Sequence, residues 1–324
     1  MPGDQVFLTG ATGFIGSHVL SALLGAGYRV RALVRSSPER LERYSECTPI
    51  VGDLEQPGAL VPDLRGCRYL VHVAAVYSFT PRDRARLRKV NVLGTAGILE
   101  ASRIAGVEKA VVTSSSATVG PARAGRLATE DDYAAGDGSG YHHSKVEQER
   151  VALAARMPVV LVLPTAPVGA NDSRPTPTGK MIVDFMRGRI FATLNGGLNL
   201  VPVEDVARGH VLALERGRPR ERYLLGGENL TLTQIFRTLA GITGRRPPRR
   251  RLAYGIALAI GWADEVRCRA LGSRPLVPIE GVRMARQNMW CSSQKAAGEL
   301  GWSAGPVTPA LERAIRWYQE HGYA

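Results

Sequence analysis

Tyr141 and Lys145 lie four residues apart in Tyr141-His142-His143-Ser144-Lys145, a run that opens a helical pattern, so both side chains share one helix face. A phenol with an ordinary pKa of about 10 is a poor acid–base catalyst at neutral pH. A lysine ammonium one turn away favours the phenolate and is expected to lower that value, which makes the pair a candidate proton-transfer centre. Upstream, the strand-like run ending at Val112-Thr113 delivers Ser114-Ser115-Ser116, and one of these hydroxyls can hold a carbonyl or alcohol oxygen.

A second group of residues is suited to phosphate. The apolar run Val6–Thr9 feeds directly into Gly10-Ala11-Thr12-Gly13-Phe14-Ile15-Gly16, after which helical spacing begins. Gly10 permits the tight strand-to-helix turn, Gly13 lets backbone N–H groups approach a pyrophosphate, and Gly16 lets the helix pack close to the sheet. Gly10, Thr12, Gly13, Phe14, Ile15 and Gly16 are therefore candidate dinucleotide-binding residues, with the positive end of the helix dipole facing the phosphates. The next strand ends in Leu33-Val34-Arg35-Ser36, where NAD-binding chains carry an acidic residue for the ribose hydroxyl. Arg35, with Ser36 beside it, suits a 2′-phosphate instead, which favours NADP(H) and leaves NAD(H) possible. Asp53 and Leu54, after a short strand, could reach the adenine, or Asp53 could simply make a turn.

These residues need a scaffold that sets them along one edge. Val6–Thr9, 29–34, 69–74, 110–113 and 159–163 are compact apolar runs expected as buried strands, and 14–26, 87–104 and 141–155 are expected as helices between them. The alternation predicts an α/β fold, a doubly wound parallel Rossmann-type sheet with a smaller, mostly helical C-terminal substrate domain. Pro164, Pro167, Gly169, Pro175 and Pro177 mark where the chain leaves the sheet. The dinucleotide-binding domain is placed at 1–165 with a returning segment at about 196–226, whose strands are Leu198–Val203 and Tyr223–Leu225. Residues 166–195 and 227–324 are assigned to the substrate domain.

The chain has 324 residues, enough for about two domains, and 42 Lys+Arg against 29 Asp+Glu give a net charge of +13. No zinc-finger spacing or aromatic-interleaved basic stripe accompanies that charge, so no nucleic-acid partner is expected. Cys47, Cys67, Cys268 and Cys291 form no CxxC pair, and no His, Asp, Glu and Cys grouping has metal-ligand spacing, so neither a disulfide framework nor a metal is expected. Without a signal-type N-terminal segment or a run of about 18 apolar residues, the expectation is a cytoplasmic protein. The Arg245–Arg251 basic run precedes the apolar Leu252–Ile260 stretch. That combination is either a solvated loop before a buried helix or a peripheral contact with an anionic membrane.

The ordered set Gly10–Gly16, Ser114–Ser116 and Tyr141–Lys145 resembles the extended short-chain dehydrogenase/reductases, which include the NAD-dependent epimerase/dehydratases and dihydroflavonol 4-reductases. Pro175–Gly179, Gly197–Val201, Gly226–Leu232 and Ser292–Leu300 look similar to the hopanoid-associated sugar epimerases within that group. The resemblance implies Ser115 as catalytic serine, with Ser116 as the neighbouring alternative, Tyr141 as general acid/base, and Lys145 as both ribose ligand and activator of Tyr141. It also implies that Ala74, Ala75, Asn91, Pro164 and Thr165 line the cofactor. An asparagine that would grip a substrate diphosphate is missing around Thr178–Met181, which speaks against a nucleotide sugar.

The expected activity is NADP(H)-dependent reduction of a carbonyl on a small molecule that is hopanoid-, polyketide- or flavonoid-like. The alternatives are a sugar or sugar-nucleotide epimerase or dehydratase with retained NAD, and a cofactor-binding protein without turnover. A homodimer or a monomer would be ordinary for such a chain.

Overall fold

Apolar runs buried on both faces form parallel strands when helices cover each side. The computed structural model describes residues 3–78, 81–122, 125–134, 140–271, 279, 282 and 286–324. In it the N-terminal runs are β1 (Gln5–Thr9), β2 (Arg29–Val34), β3 (Cys47–Val51), β4 (Tyr69–His72), β5 (Lys109–Thr113) and β6 (Val159–Pro164). Further along lie β7 (Ala166–Val168), β8 (Ala192–Thr193), β9 (Gly197–Pro202), β10 (Arg222–Leu225), β11 (Glu228–Thr231), β12 (Arg250–Arg251) and β13 (Asn288–Met289).

The main sheet is seven-stranded, in the order β10-β6-β5-β4-β1-β2-β3, and every pairing is parallel. Strand order reverses between β1 and β4, and the carboxyl ends of those strands frame the crevice where such sheets bind ligands. Side chains alternate across the sheet as the period of two requires. Val6 and Leu8 join the core beneath the Phe14–Gly25 and Val203–Arg216 helices, while Phe7 joins the one beneath the Thr95–Ala105 and Gly140–Leu153 helices.

Two expectations change. The 198–203 run does not return to the main sheet; β9 pairs with β7, β11 and β13 in a separate four-stranded sheet. Only the helix that follows it, and then β10, come back to complete the main sheet beside β6. An apolar run specifies a buried strand but not its partner, which is why spacing could not tell the two sheets apart. The helix expected over 87–104 is interrupted by a π-helical turn at Arg88–Gly94 ahead of the Thr95–Ala105 helix.

The second lobe packs its small sheet against helices Pro177–Met186, Leu232–Thr243 and Val307–Glu320. Its core includes Ile182, Phe185, Leu200, Phe236 and Leu311, with the Phe185 and Phe236 rings stacked 5.7 Å apart. Helix starts are chemically marked: Thr176 Oγ1 accepts from the Gly179 N–H, and Thr231 with Gln234 forms a reciprocal capping box. The Asp205 carboxylate, in the first turn of its own helix, accepts from the Gly305 N–H at 2.7 Å and pairs with Arg208.

Candidate active site

The glycine turn has the backbone its sequence demands. Gly10 sits at φ +79°, and a Cβ there would come within 2.7 Å of the Ala74 nitrogen. At Gly16 a Cβ would fall 1.9 Å from the Gly10 carbonyl oxygen, so only glycine lets strand and helix approach this closely. The Phe14–Gly25 helix starts after Gly13 with no side chain capping it, which leaves its first N–H groups for an anion. Thr12 is exposed, Phe14 and Ile15 are half-buried, and Ala74 with Ala75 runs past Gly10 after β4. This cradle fits the pyrophosphate of a dinucleotide.

Arg35 and Ser36 are exposed just beyond β2, and among the described residues Arg35 has no carboxylate partner. Asp53 is exposed, and its Oδ1 accepts from the Glu55 N–H at 3.0 Å, so one of its oxygens makes a turn; Leu54 beside it is buried. Asn91 lies in the interior. It is fully buried in the π turn, its Oδ1 accepts from Val76 N at 2.7 Å, and its Nδ2 donates to Val76 O and Ser144 Oγ. It fixes the loop after Ala74-Ala75.

The three serines have different partners. Ser114 Oγ donates to the buried Glu149 carboxylate in a short hydrogen bond, which Thr118 Oγ1 joins at 2.7 Å. Ser115 is half-buried, accepts from Ala117 N at 3.2 Å and hydrogen-bonds Tyr141, whereas Ser116 lies on the cavity wall. Tyr141 is buried at the same wall, with the half-exposed Tyr77 ring 4.3 Å away. His142 lines the cavity and His143 faces outward.

Burial sets the proton affinities of the pair, and against the expected direction for the phenol. Desolvation pushes Tyr141 up to about 12, with the Ser115 hydrogen bond opposing it. Desolvation also pushes Lys145 down to about 7, against the raising influence of Glu149. Lys145 Nζ donates to Thr113 O at 2.9 Å and to Gln148 Oε1 at 2.5 Å. The phenol thus keeps its proton at neutral pH, while burial weakens the lysine's hold on its own.

Two buried groupings were not found from the sequence. In the first, Gln148 Nε2 donates to Thr95 Oγ1 at 2.9 Å, and the one Thr95 hydroxyl proton goes to Asn91 O at 2.7 Å. The contact between Thr95 and His72 at 2.9 Å must then be donated by His72 Nε2–H, so His72 Nδ1 accepts from Thr9 Oγ1 at 2.8 Å. A hydrogen-bonded chain therefore runs from Lys145 to the end of β1, and burial holds His72 neutral with its pKa down at about 3. In the second, Arg222 of β10 lies with Nε 3.0 Å from Glu149 Oε2, both side chains buried, and donates to Thr118 Oγ1. A face expected to be apolar is largely polar here: Ser144, Lys145, Gln148 and Glu149 are the buried side of their helix. Polar residues at helical spacing against a sheet were the available signal.

Ser114, Ser115, Ser116 and Tyr141 open on a cavity of about 1260 Å³ between the sheet edge and the second lobe. Pro164 and Thr165 at the end of β6 form part of its wall, opposite Met181, Leu194, Leu198, Phe236 and Trp290. Of the described cations at the wall, Arg126 is paired with Asp132 and Arg286 lies over the Tyr254 ring at 4.7 Å.

Residues 6–226 match the model of the NAD dependent epimerase/dehydratase family. A Synechocystis sp. protein named after dihydroflavonol 4-reductase is 40% identical over 99% of this chain and 96% of its own length. Sterol demethylase protein B of Methylococcus capsulatus is 34% identical over 97% of this chain and 98% of its own. The crystal structure of gox2253 superposes with a TM-score of 0.86 at 39% identity, covering 99% of each chain.

Proposed function

The chain belongs to the NAD dependent epimerase/dehydratase family and is an NAD(P)-dependent oxidoreductase of the extended short-chain type, and on that premise we propose that it reduces a ketone on a bulky apolar molecule with NADPH. The observation that carries this reading is the cavity: Ser115 and Tyr141 face a large space whose opposite wall includes Met181, Leu194, Leu198, Phe236 and Trp290. Such a wall suits a polycyclic or isoprenoid body and offers a diphosphate little, since Arg126 is already paired and Arg286 lies over the Tyr254 ring. The sterol-related name of the Methylococcus relative agrees with that choice.

A nicotinamide dinucleotide in the Gly10–Gly16 cradle supplies the hydride. Arg35 and Ser36 take the 2′-phosphate, and the uncapped helix start takes the pyrophosphate. Ser115 donates a hydrogen bond to the substrate carbonyl oxygen, and Tyr141 delivers the proton that this oxygen gains. A phenol held at about 12 remains protonated at neutral pH, which suits a proton donor in the reducing direction. Lys145 keeps its place through Thr113 O and Gln148 and lends positive charge beside the phenol and the ribose.

Titration of nucleotide-stripped protein with NADPH and NADH tests the reading. Tighter NADPH binding is expected, weakened about tenfold in Arg35→Asp with NADH spared, followed by turnover of a bulky cyclic ketone. Stoichiometric NAD retained through purification, without NADPH preference, would replace this reading with epimerisation or dehydration by a bound cofactor.

A further inference from the structure

A helix that packs on a core turns its large apolar residues inward and its small or polar ones outward. The Tyr254–Leu271 helix does the reverse. Its buried stripe carries Ala257, Gly261 and Cys268, while Ile256, Ile260, Trp262 and Val266 face out. Trp262 is 65% exposed and Ile256 54%. The helix has no claim to cross a membrane, since no described helix is long and apolar enough for that.

Charge surrounds this face. Arg245, Arg246, Arg249, Arg250 and Arg251 precede the helix, all exposed, and none has a carboxylate partner among the described residues. β12 pairs with β8 in the register Arg250 to Ala192, and Leu252 N donates to Thr193 O, so the basic strand runs beside Phe191, itself 68% exposed. The same segments border the cavity: Ile190, Ala192, Thr193 and Tyr254 are part of its wall. Large outward apolar groups, a fringe of unpaired arginines and the rim of an apolar cavity thus share one side of the second lobe.

We propose that this side docks on the surface of an anionic lipid bilayer, with Ile256, Ile260, Trp262 and Phe191 inserted among the acyl chains and the arginines on the headgroup phosphates. Neither element suffices alone: the apolar groups supply depth, and the arginines supply attraction to negative lipid. Docked in this way, the cavity rim faces the membrane, from which an apolar substrate can pass without crossing water. The docking itself is independent of the chemistry at Tyr141 and is read without turnover.

The test is co-sedimentation of the full chain with phosphatidylcholine vesicles, alone and with phosphatidylglycerol at about one part in three. Binding is expected only to the anionic vesicles, with tryptophan quenching by brominated acyl chains that disappears in Trp262→Ser. Charge reversal (Arg249→Glu with Arg250→Glu and Arg251→Glu) and apolar removal (Ile256→Ser with Trp262→Ser) are each expected to weaken binding about tenfold or more. NADPH affinity, unchanged in both, reports that the fold is intact. No preference for anionic vesicles overturns the proposal, as does binding indifferent to either set of substitutions. A lipid-free dimer that dissociates in Ile256→Ser with Trp262→Ser would assign the face to a second copy of the chain instead.

Discussion

The two walls of the cavity are built on opposite principles. The wall at the carboxyl edge of the main sheet carries the hydrogen-bonded groups, Ser114 to Glu149 and Ser115 to Tyr141, with Lys145 bonded to Thr113 and Gln148 in the interior behind it. The facing wall from the second lobe is mainly side chains such as Met181, Leu198 and Phe236, which have no polar group to direct. The difference separates two tasks. Proton transfer needs fixed donors at fixed distances, whereas selecting an apolar body needs only volume and shape. One wall can therefore change its occupant while the other keeps its reaction.

If that division is right, a change on each wall should leave the other's task untouched. The largest effect is expected from Tyr141→Phe, which removes the donor oxygen and keeps the ring against Tyr77. Ketone turnover should fall by about a thousandfold in kcat with NADPH affinity retained, and steady-state kinetics beside a nucleotide titration would read both. A drop of only a few fold would move the proton donor elsewhere. Next, Met181→Arg buries a charge in the apolar wall and should cost a bulky ketone about a hundredfold in kcat/KM. A small water-soluble ketone should be spared; equal losses on both would mean that this wall also shapes the chemistry.

The smallest effect sharpens the comparison from the side of stability. His72 and His210 are buried neutral, with pKa values pushed down to about 3 and about 4 by desolvation. Below the ordinary histidine value of about 6.5 the unfolded chain binds protons that the folded chain refuses, so stability declines as pH falls through 6.5 towards those values. Each group should take away roughly 2 kcal/mol between pH 7 and pH 5. Urea unfolding at the two pH values, with and without His72→Gln, measures it; a variant that declines as steeply as the parent would place the acid sensitivity outside the buried chain that joins His72 to Lys145.

Legibility followed the same boundary. Strands β1, β2, β4, β5 and β6 and the glycine turn were readable because a buried parallel strand and a tight turn each restrict residue type locally. The direction of the Tyr141 shift was not, because it depends on how deeply the fold buries the phenol, and four-residue spacing carries no measure of depth. Choosing among Ser114, Ser115 and Ser116 required knowing that Glu149 takes the first of them. The partner of β9 was hidden for a similar reason: its residues specify burial and leave the neighbour to the chain's return path. In the Tyr254–Leu271 helix, composition gave the apolarity of its first part, within Leu252–Ile260, while its full length and which stripe faces outward emerged only from packing.

The pairing of Arg222 with Glu149 has a consequence for the order in which the chain can become a structure. Glu149 and the whole glycine turn leave the ribosome well before Arg222 does. Until the last strand arrives, a carboxylate meant for the interior lacks the guanidinium that pairs with it, and the flank of β6 offers its backbone to any passing strand. The nucleotide-binding half is therefore not a module that can be cut away at residue 165 and expected to fold. Its completion waits on a segment that comes after the first part of the second lobe, so the two lobes must mature together.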